Sequence, residues 1–444
     1  MNANRVLLVL VLVVGMAMTS VRAQTLSAVY RKAQTEDAQH RAARKGFEAA
    51  LEKLPQARAA LLPSVNLSGS NSNQVGDASF SYGPYENRSV NSWNWTAQIT
   101  QPLIRPGNWI AYRQAGAQIE HAQAQLIVAE QDLMLRSAQA YFDVTLAKEN
   151  IRVSETQLSA VNEQLVLAER NYSVGTGTVT DVHEAKAKRG LALSQSIAAV
   201  NELASRQAEL DKMLGEPMTL LPVRFKQDLP SITTVLLSDW LSSAATQNPQ
   251  VKIQQAALEV AQKEVARSMS AHAPTLDLTY SHNGVFNSGS LSSPADLATR
   301  TRSHQTALQL TVPLYAGGSV QSRVREALLL EDKARDELLL AQRSAASQVV
   351  QAYAGVRNGQ AQIEALQAAV EAGGQAVEAN KIGFRIGTRI NPDVLNAEQQ
   401  LYASMRDLMK ARVDAVMQGL KLKAASGMLQ EVDLLALETL LEVN

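Results

Sequence analysis

The sequence predicts an α+β chain that is mostly α, with four β-strands, built as two copies of one unit. Three observations carry this. The run Asn171-Tyr-Ser-Val-Gly-Thr-Gly-Thr-Val-Thr-Asp-Val182 returns as Gly383-Phe-Arg-Ile-Gly-Thr-Arg-Ile-Asn-Pro-Asp-Val394, with Gly175 and Gly387, and Asp181 and Asp393, each 212 positions apart. Each run sits between two long helical patterns, so each reads as the turn of a helical hairpin. Finally, two short alternating stretches stand ahead of each long pattern, and matched prolines bound them.

Composition agrees with long packed helices. Ala, Leu, Gln, Glu and Val dominate, and aromatic residues make up only 5%. The 42 acidic and 42 basic residues balance, which speaks against a nucleic-acid partner. The six histidines (His40, His121, His183, His272, His282, His304) are scattered, and no two stand at metal-motif spacing. No cofactor is expected. Residues 1–23 read as a secretory signal: Arg5 is the charged start, Val6–Val14 is apolar, and Val21-Arg22-Ala23 precedes the cut. The mature chain is expected to begin near Gln24, outside the cytoplasm. Cysteine is absent, so stability must come from packing or assembly rather than disulfides.

Repeat 1 is expected over 24–215. It opens with a helical stretch over 26–60, interrupted at Pro55 and ended by Pro63. A strand follows at about 63–71, where Val65, Leu67 and Gly69 alternate with Ser64, Asn66, Ser68 and Ser70. Residues 71–91, rich in Ser, Asn, Gly and Tyr, read as an exposed loop. The second strand, about 92–101, alternates Trp93, Trp95, Ala97 and Ile99 with Asn94, Thr96, Gln98 and Thr100, and Pro102 closes it. From Trp109 to Tyr172 there is no proline, and Gly116 is the single glycine. At ~1.5 Å per residue this is a helix on the order of 95 Å long. It turns at 173–181 and returns to Gly215.

Residues 216–236, with Pro217, Pro222 and Pro230, are expected to link the copies. Repeat 2, over 237–430, uses the same parts: a helix from Asn248-Pro249, strands at about 274–282 and 304–313, and a long helical hairpin turning at 385–393. Pro274 follows Pro63 by 211 positions, Pro313 follows Pro102 by 211, and Gly427 follows Gly215 by 212. Chance similarity of two Ala-rich helices does not explain such markers, so the chain reads as a duplication. Residues 431–444 read as a short tail.

The strands present one apolar and one Ser/Thr/Asn/Gln face. With the export signal, that fits a barrel wall with Trp93, Trp95, Ile99, Leu308 and Leu310 toward lipid and a wet interior. The alternative is a small sheet packed on the helices. Four strands cannot close in lipid, because open edges leave backbone groups unsatisfied. Chains must therefore combine, and three would supply twelve strands. The helices carry a heptad row, Val144, Ile151, Leu158, Leu165 and Tyr172, beside Ala147, Ser154, Val161 and Ala168. Copy two repeats it as Val356, Ile363, Val370, Val377 and Phe384. Helices apolar on two sides suit the wall of a hollow α-barrel, and a hollow cylinder on a barrel is a conduit.

The run Gly387-Thr-Arg-Ile-Asn-Pro-Asp-Val-Leu-Asn-Ala-Glu-Gln-Gln-Leu-Tyr402, within this repeated order of elements, resembles the TolC family of outer-membrane channel-tunnels. Its Leu-Asn-Ala-Glu-Gln-Gln-Leu-Tyr continuation is more similar to the type I secretion branch. The resemblance implies a homotrimer with a 12-stranded transmembrane β-barrel and a periplasmic coiled-coil α-barrel. It also implies docking onto a periplasmic adaptor and an inner-membrane ABC or proton-driven transporter. A periplasmic gate is implied at Arg389, with Thr180 and Asp181 as acceptors. The family's aromatic tether is Phe384 here, which lacks the usual hydroxyl. The entrance ring of Asp falls on Asp393, and the second ring falls on Asn396, so one cation-binding ring is expected rather than two. Arg389 beside a carboxylate of a neighbouring hairpin would make an exposed charge-assisted bond of about 0.5–1 kcal/mol, weak enough for a docking partner to break. Helix capping is the plainer role for Asp181 and Asp393. The expected function is the exit duct of a tripartite export system. Type I secretion is favoured over small-molecule efflux, and a non-pore coiled-coil scaffold is the alternative of another class. No Ser/His/Asp set, metal cluster or phosphate loop points to an enzyme.

Overall fold

The computed structural model describes residues 25–81, 83–220, 223–225 and 235–443. The expected signal segment and most of the 216–236 linker lie outside them. The chain divides into two compact units. One comprises residues 1–44, 126–251 and 342–444, and the other 45–125 and 252–341.

In chain order the helices are α1 (Leu26–Glu36), α2 (Ala38–Leu51), α3 (Lys53–Ala59), α4 (Pro106–Ser173), α5 (Val179–Leu214), α6 (Leu237–Gln247), α7 (Pro249–Met269), α8 (Ser319–Arg385), α9 (Asn391–Ala425) and α10 (Glu431–Glu438). The strands are β1 (Ser64–Ala78), β2 (Glu86–Ile104), β3 (Val223–Phe225), β4 (Thr275–Asn287), β5 (Thr299–Thr311) and β6 (Leu441–Val443). The duplication is visible in the lengths: α4 and α8 have 68 and 67 residues, and α5 and α9 have 36 and 35.

One apolar cluster joins five helices of the helical unit. Leu26, Val29, Tyr30 and Ala33 of α1 meet Leu133, Tyr141, Phe142 and Val144 of α4, Leu210 and Leu214 of α5, Val416, Met417 and Leu420 of α9, and Leu434 of α10. Fully burying each Leu, Val or Phe contributes about 1.5–3 kcal/mol, which offsets the entropy of ordering these helices. The heptad rows hold. Val144, Leu165, Ala147, Ser154, Val161 and Ala168 are buried on α4, as are Ile363 and Val377 on α8, while Tyr172 is exposed. Where α8 meets α9, Gly359 lies so close to Ala415 that an added Cβ would stand 3.2 Å from it. The tail is structured: α10 joins the core, and β6 pairs antiparallel with β3.

Asp37 ends α1 and starts α2. Its buried carboxylate accepts from the His40 N–H at 2.7 Å and from Arg136 Nη1 and Nη2 at 3.0 and 3.3 Å. Burial raises the carboxyl's pKa, but Arg136 and the His40 N–H outweigh it and hold Asp37 below its ordinary 3.8. A depressed carboxylate contributes stability above its ordinary value and loses it as pH falls through the folded value. Arg136→Ala should therefore cost about 2–4 kcal/mol at neutral pH, the cost of stranding a buried charge. In unfolding experiments that deficit should shrink below about pH 4; a constant deficit would remove Asp37 as its source.

The strand unit is a four-stranded antiparallel sheet in the order β1-β2-β4-β5, so the two copies meet at the β2–β4 pair. The strands correct the sequence reading in three places. Residues 71–78 and 86–91 are strand rather than loop, and β2 runs past Pro102 to Ile104 through a bulge. In copy two the connection shrinks to 288–298, because β4 reaches Asn287 and β5 begins at Thr299. Polar segments hold strand geometry here because the partner strand supplies the ladder.

Candidate functional site

Two regions carry the candidate residues, the hairpin turns of the helical unit and the sheet face of the strand unit. At both turns the backbone must go left-handed, with φ of 78° at Gly175 and at Gly387. After the first turn α5 opens with a full capping box. The Thr178 N–H and hydroxyl donate to Asp181 Oδ2 at 3.0 and 2.8 Å, and the Asp181 N–H donates to Thr178 Oγ1 at 3.2 Å. The second turn has Ile390 in place of Thr178, which offers no side-chain acceptor. Asp393 takes only a long 3.5 Å contact from the Ile390 N–H. Its Oδ2 lies 3.7 Å from Arg389 Nη1. Capping thus occupies Asp181 and leaves Asp393 loosely held.

Within one chain Arg389 reaches Asp393 and is not brought to Thr180 or Asp181. Its side chain is 60% exposed. Thr180 is exposed, and Phe384 is half-buried. Asn396 has a partner that sequence reasoning missed: Lys188 Nζ donates to Asn396 Oδ1 at 2.9 Å and to Gln399 Oε1 at 2.7 Å, tying α5 to α9. The two hairpins also share an apolar cluster of Val161, Leu165, Ala168, Val182, Ala185 and Leu395. A second missed residue is Glu398, a carboxylate only 1% exposed. Among the described residues its one countercharge is Lys381 Nζ, at 2.8 Å across the α8–α9 hairpin. Hydrogen bonding and attraction to Glu398 push the Lys381 ammonium above its ordinary range. The available signal was a charge in an otherwise apolar row, Val394, Leu395, Glu398, Leu401.

On the sheet, register sorts the residues by face. Val65 pairs with Ile99, Leu67 with Ala97, and Asn71 with Trp93. Trp93 pairs with Phe286, Ile99 with Tyr280, and Gln101 with Leu278. Leu278 pairs with Leu308, and Leu276 with Leu310. Trp93, Trp95, Ile99, Leu308 and Leu310 therefore share one face, and of these Trp93, Ile99, Leu308 and Leu310 are exposed. The opposite face is polar, through Ser68, Thr96, Gln98, Asn94, Ser281 and Gln305. Trp95 lies on Gly284, where a Cβ would stand 2.3 Å from Nε1, so only glycine admits the indole. At the helix-connected end, Arg105 clasps Asp277 with two bonds of 2.8 and 2.5 Å, across the junction of the copies. At the other end the 288–298 loop folds onto the polar face. Arg88 anchors it by donating to the Ser290, Ser293 and Pro294 carbonyls at 3.0, 2.7 and 3.1 Å. Among the described residues no helix is long and apolar enough to cross a membrane, and no group of three or more His, Asp or Glu could hold a metal.

Comparison with known proteins matches this arrangement. The family described as outer membrane efflux protein matches the chain twice, over residues 29–216 and 240–428. The chain is 29% identical over 436 residues to the outer membrane protein TolC of Vibrio cholerae, covering 97% of this chain and 96% of that protein. It is also 29% identical over 443 residues to the proteases secretion protein PrtF of Dickeya chrysanthemi, covering 98% and 95%. Its fold superposes on the outer membrane protein VceC of Vibrio cholerae with a TM-score of 0.75, over 90% of this chain and 96% of that one, at 17% identity.

Proposed function

The chain belongs to the outer membrane efflux protein family, and from that premise we propose that it is the exit duct of a type I protein secretion system. It is an outer-membrane channel for efflux or secretion, and a conduit rather than an enzyme. The observation that carries the secretion branch is the match over 98% of the chain to a proteases secretion protein. Deleting the gene should abolish accumulation of a secreted protein in the medium and leave it in the cell. If drug susceptibility rises while protein export is untouched, small-molecule efflux is the function. The family's own description favours that second reading.

The assembly follows from the sheet. β1 and β5 are long strands with one edge each unpaired in a single chain. In a membrane such edges must be paired. Their opposite directions let β5 of one copy pair antiparallel with β1 of the next, and three copies close twelve strands. The helical part then serves as the periplasmic duct, with an adaptor and an inner-membrane transporter engaging the turns at 173–181 and 385–393. The repeats run over 24–215 and 237–430.

The gate is assigned to Arg389 reaching Thr180 and Asp181 on a neighbouring hairpin, with Phe384 contributing packing in place of a hydroxyl link. Its present contact with Asp393, long and exposed, leaves it free to be recruited. Arg389→Ser should raise single-channel conductance in a planar bilayer several-fold. Lys188→Ala, which unties α5 from α9, should add to that rise. Equal conductance in all three proteins would take both residues out of the gate. At the entrance Asp393 supplies a ring of three carboxylates, whereas Asn396 supplies none. Asp393→Ala should shift the reversal potential toward weaker cation preference and relieve block by multivalent cations. An unchanged reversal potential would remove the ring.

A further inference from the structure

The apolar sheet face is not apolar throughout. Most of its aliphatic side chains lie toward the end joined to the helices, Leu276, Leu278, Leu308, Leu310, Val65 and Ile99, with Leu67 next in line and Val75 toward the loop end. Farther along come Trp93 and Trp95. Beside them His282 and His304 stack with ring centroids 5.5 Å apart, and Trp95 lies 5.1 Å from His282. In the same cross-strand rows as the tryptophans stand Arg302, in line with Gly284 and Trp95, and Arg300, in line with Phe286 and Trp93. The Arg300 guanidinium rests over the Phe286 ring at 5.7 Å. Together the aromatic rings, His282 and the two arginines line one depression of about 620 Å³. Neither arginine has an ion pair among the described residues. The one carboxylate on this face of the four strands is Asp77, on the far edge strand, and it accepts from Asn87 at 2.9 Å.

The spacing places this cluster in a membrane. From Leu310 to Arg302 the strand covers eight residues, about 26 Å along its axis and roughly 20 Å along the normal at a tilt of about 40°. With Leu308 near the midplane of a barrel's apolar band of about 25 Å, Arg302, six residues on and roughly 15 Å along the normal, falls at its outer boundary, level with the Trp pair, and Arg300 falls just beyond it. Lipid phosphates stand at that level. An unpaired arginine facing lipid there is costly unless an anion meets it, and phosphate is the group whose geometry matches the guanidinium fork.

We propose that Arg300 and Arg302, with the His282–His304 pair and the Trp93/Trp95 shelf, form an outward-facing site for the phosphate of an outer-leaflet glycolipid, the lipid A part of lipopolysaccharide. The guanidinium groups clasp the phosphate, His282, whose Nδ1 faces His304 Nδ1 at 3.4 Å, offers its Nε2 side, and the indoles carry the sugar and upper acyl segments. This rests on the reading of the sheet as part of an outer-membrane barrel wall.

The test uses the full-length protein in nanodiscs of zwitterionic phospholipid, titrated with diphosphoryl lipid A. Wild type should bind at least tenfold more tightly than Arg300→Gln/Arg302→Gln. Enzymatically dephosphorylated lipid A should bind wild type no better than the intact lipid binds the variant. Inorganic phosphate at millimolar concentration should not compete. Equal binding by wild type and variant, or by both lipids, overturns the site, and full competition by inorganic phosphate reduces it to a free-anion site. If the variant fails to assemble, the comparison of the two lipids on wild type alone decides. Conductance of the same wild-type preparation separates the failures: a conducting channel without lipid preference sinks this inference and leaves the barrel standing.

Discussion

Lys381→Met should destabilise the helical unit by about 2–4 kcal/mol while leaving its helix content unchanged. Glu398 is 1% exposed and surrounded by the apolar face of α9. Its carboxylate has no well-aligned hydrogen bond, and Lys381 at 2.8 Å is the one charge that compensates it. Removing a partner from a fully buried pair costs about 3–5 kcal/mol. The lower range applies because the Lys381 side chain keeps 38% exposure and water shares in the screening. Replacing both residues by apolar ones should recover most of the loss, since the burial penalty of two charges disappears with them. Unfolding midpoints of the wild type, the two single variants and the double variant form a cycle that reads the coupling directly. A double variant no more stable than Lys381→Met would show that Glu398 is held by something other than Lys381.

The pair also has a pH range. Its bond to Glu398 raises the Lys381 pKa above the ordinary 10.5. A raised cationic group contributes fully below its ordinary value and loses its effect as pH rises through the folded one. On the Lys381 side the tie is therefore in place at neutral pH and lapses only in strong alkali. It holds α8 to α9, so the proposed gate would move this hairpin as one body. Yielding contacts would lie between hairpins, at Arg389 and at Lys188.

That division marks what the sequence made legible. Glycines and prolines at a fixed spacing revealed the duplication, because a left-handed turn and a helix start each restrict residue type locally. Strand alternation placed Trp93, Ile99 and Leu308 on one face before any register was known. The extensions of β1 and β2 escaped notice because Asn71, Asn73, Ser72 and Gln74 are polar on both faces; a ladder with the neighbouring strand holds them, and no local pattern reports it. Lys188, Asn396 and Gln399 escaped for a related reason. They lie about 210 residues apart and are joined only by the packing of α5 beside α9. Arg389, Thr180 and Asp181 were singled out through resemblance alone, and a single chain brings Arg389 to Asp393. Arg300 and Arg302 fell outside the two strands expected at about 274–282 and 304–313, and only the register placed them on the apolar face.

Leu308→Arg should reduce assembled trimer in the outer membrane by about 2–4 kcal/mol of insertion free energy, the cost of a cation at the lipid midplane of a barrel. At 1.4 kcal/mol per tenfold, that is roughly 30- to 700-fold in the insertion equilibrium, enough to deplete the protein from the outer-membrane fraction. The prediction depends on the face rather than on the strand. Leu308 is 66% exposed in the single chain and pairs with Leu278, so its surroundings offer an arginine no acceptor. Gln305 lies on the same strand but on the opposite face, paired with Ser281. In a wet barrel interior, Gln305→Arg should leave trimer yield near that of the wild type and alter conductance instead. Ile99→Arg, on β2 and the same face as Leu308, should repeat the loss, which makes the effect a property of the whole surface. If both faces tolerated arginine equally, the sheet would not be a membrane wall, and a soluble cap on a coiled-coil scaffold would fit better. If both rejected it, the interior would be packed rather than wet, and the conduit would have no opening at this level. Only loss on the Leu308 face together with tolerance on the Gln305 face fits an open barrel in lipid.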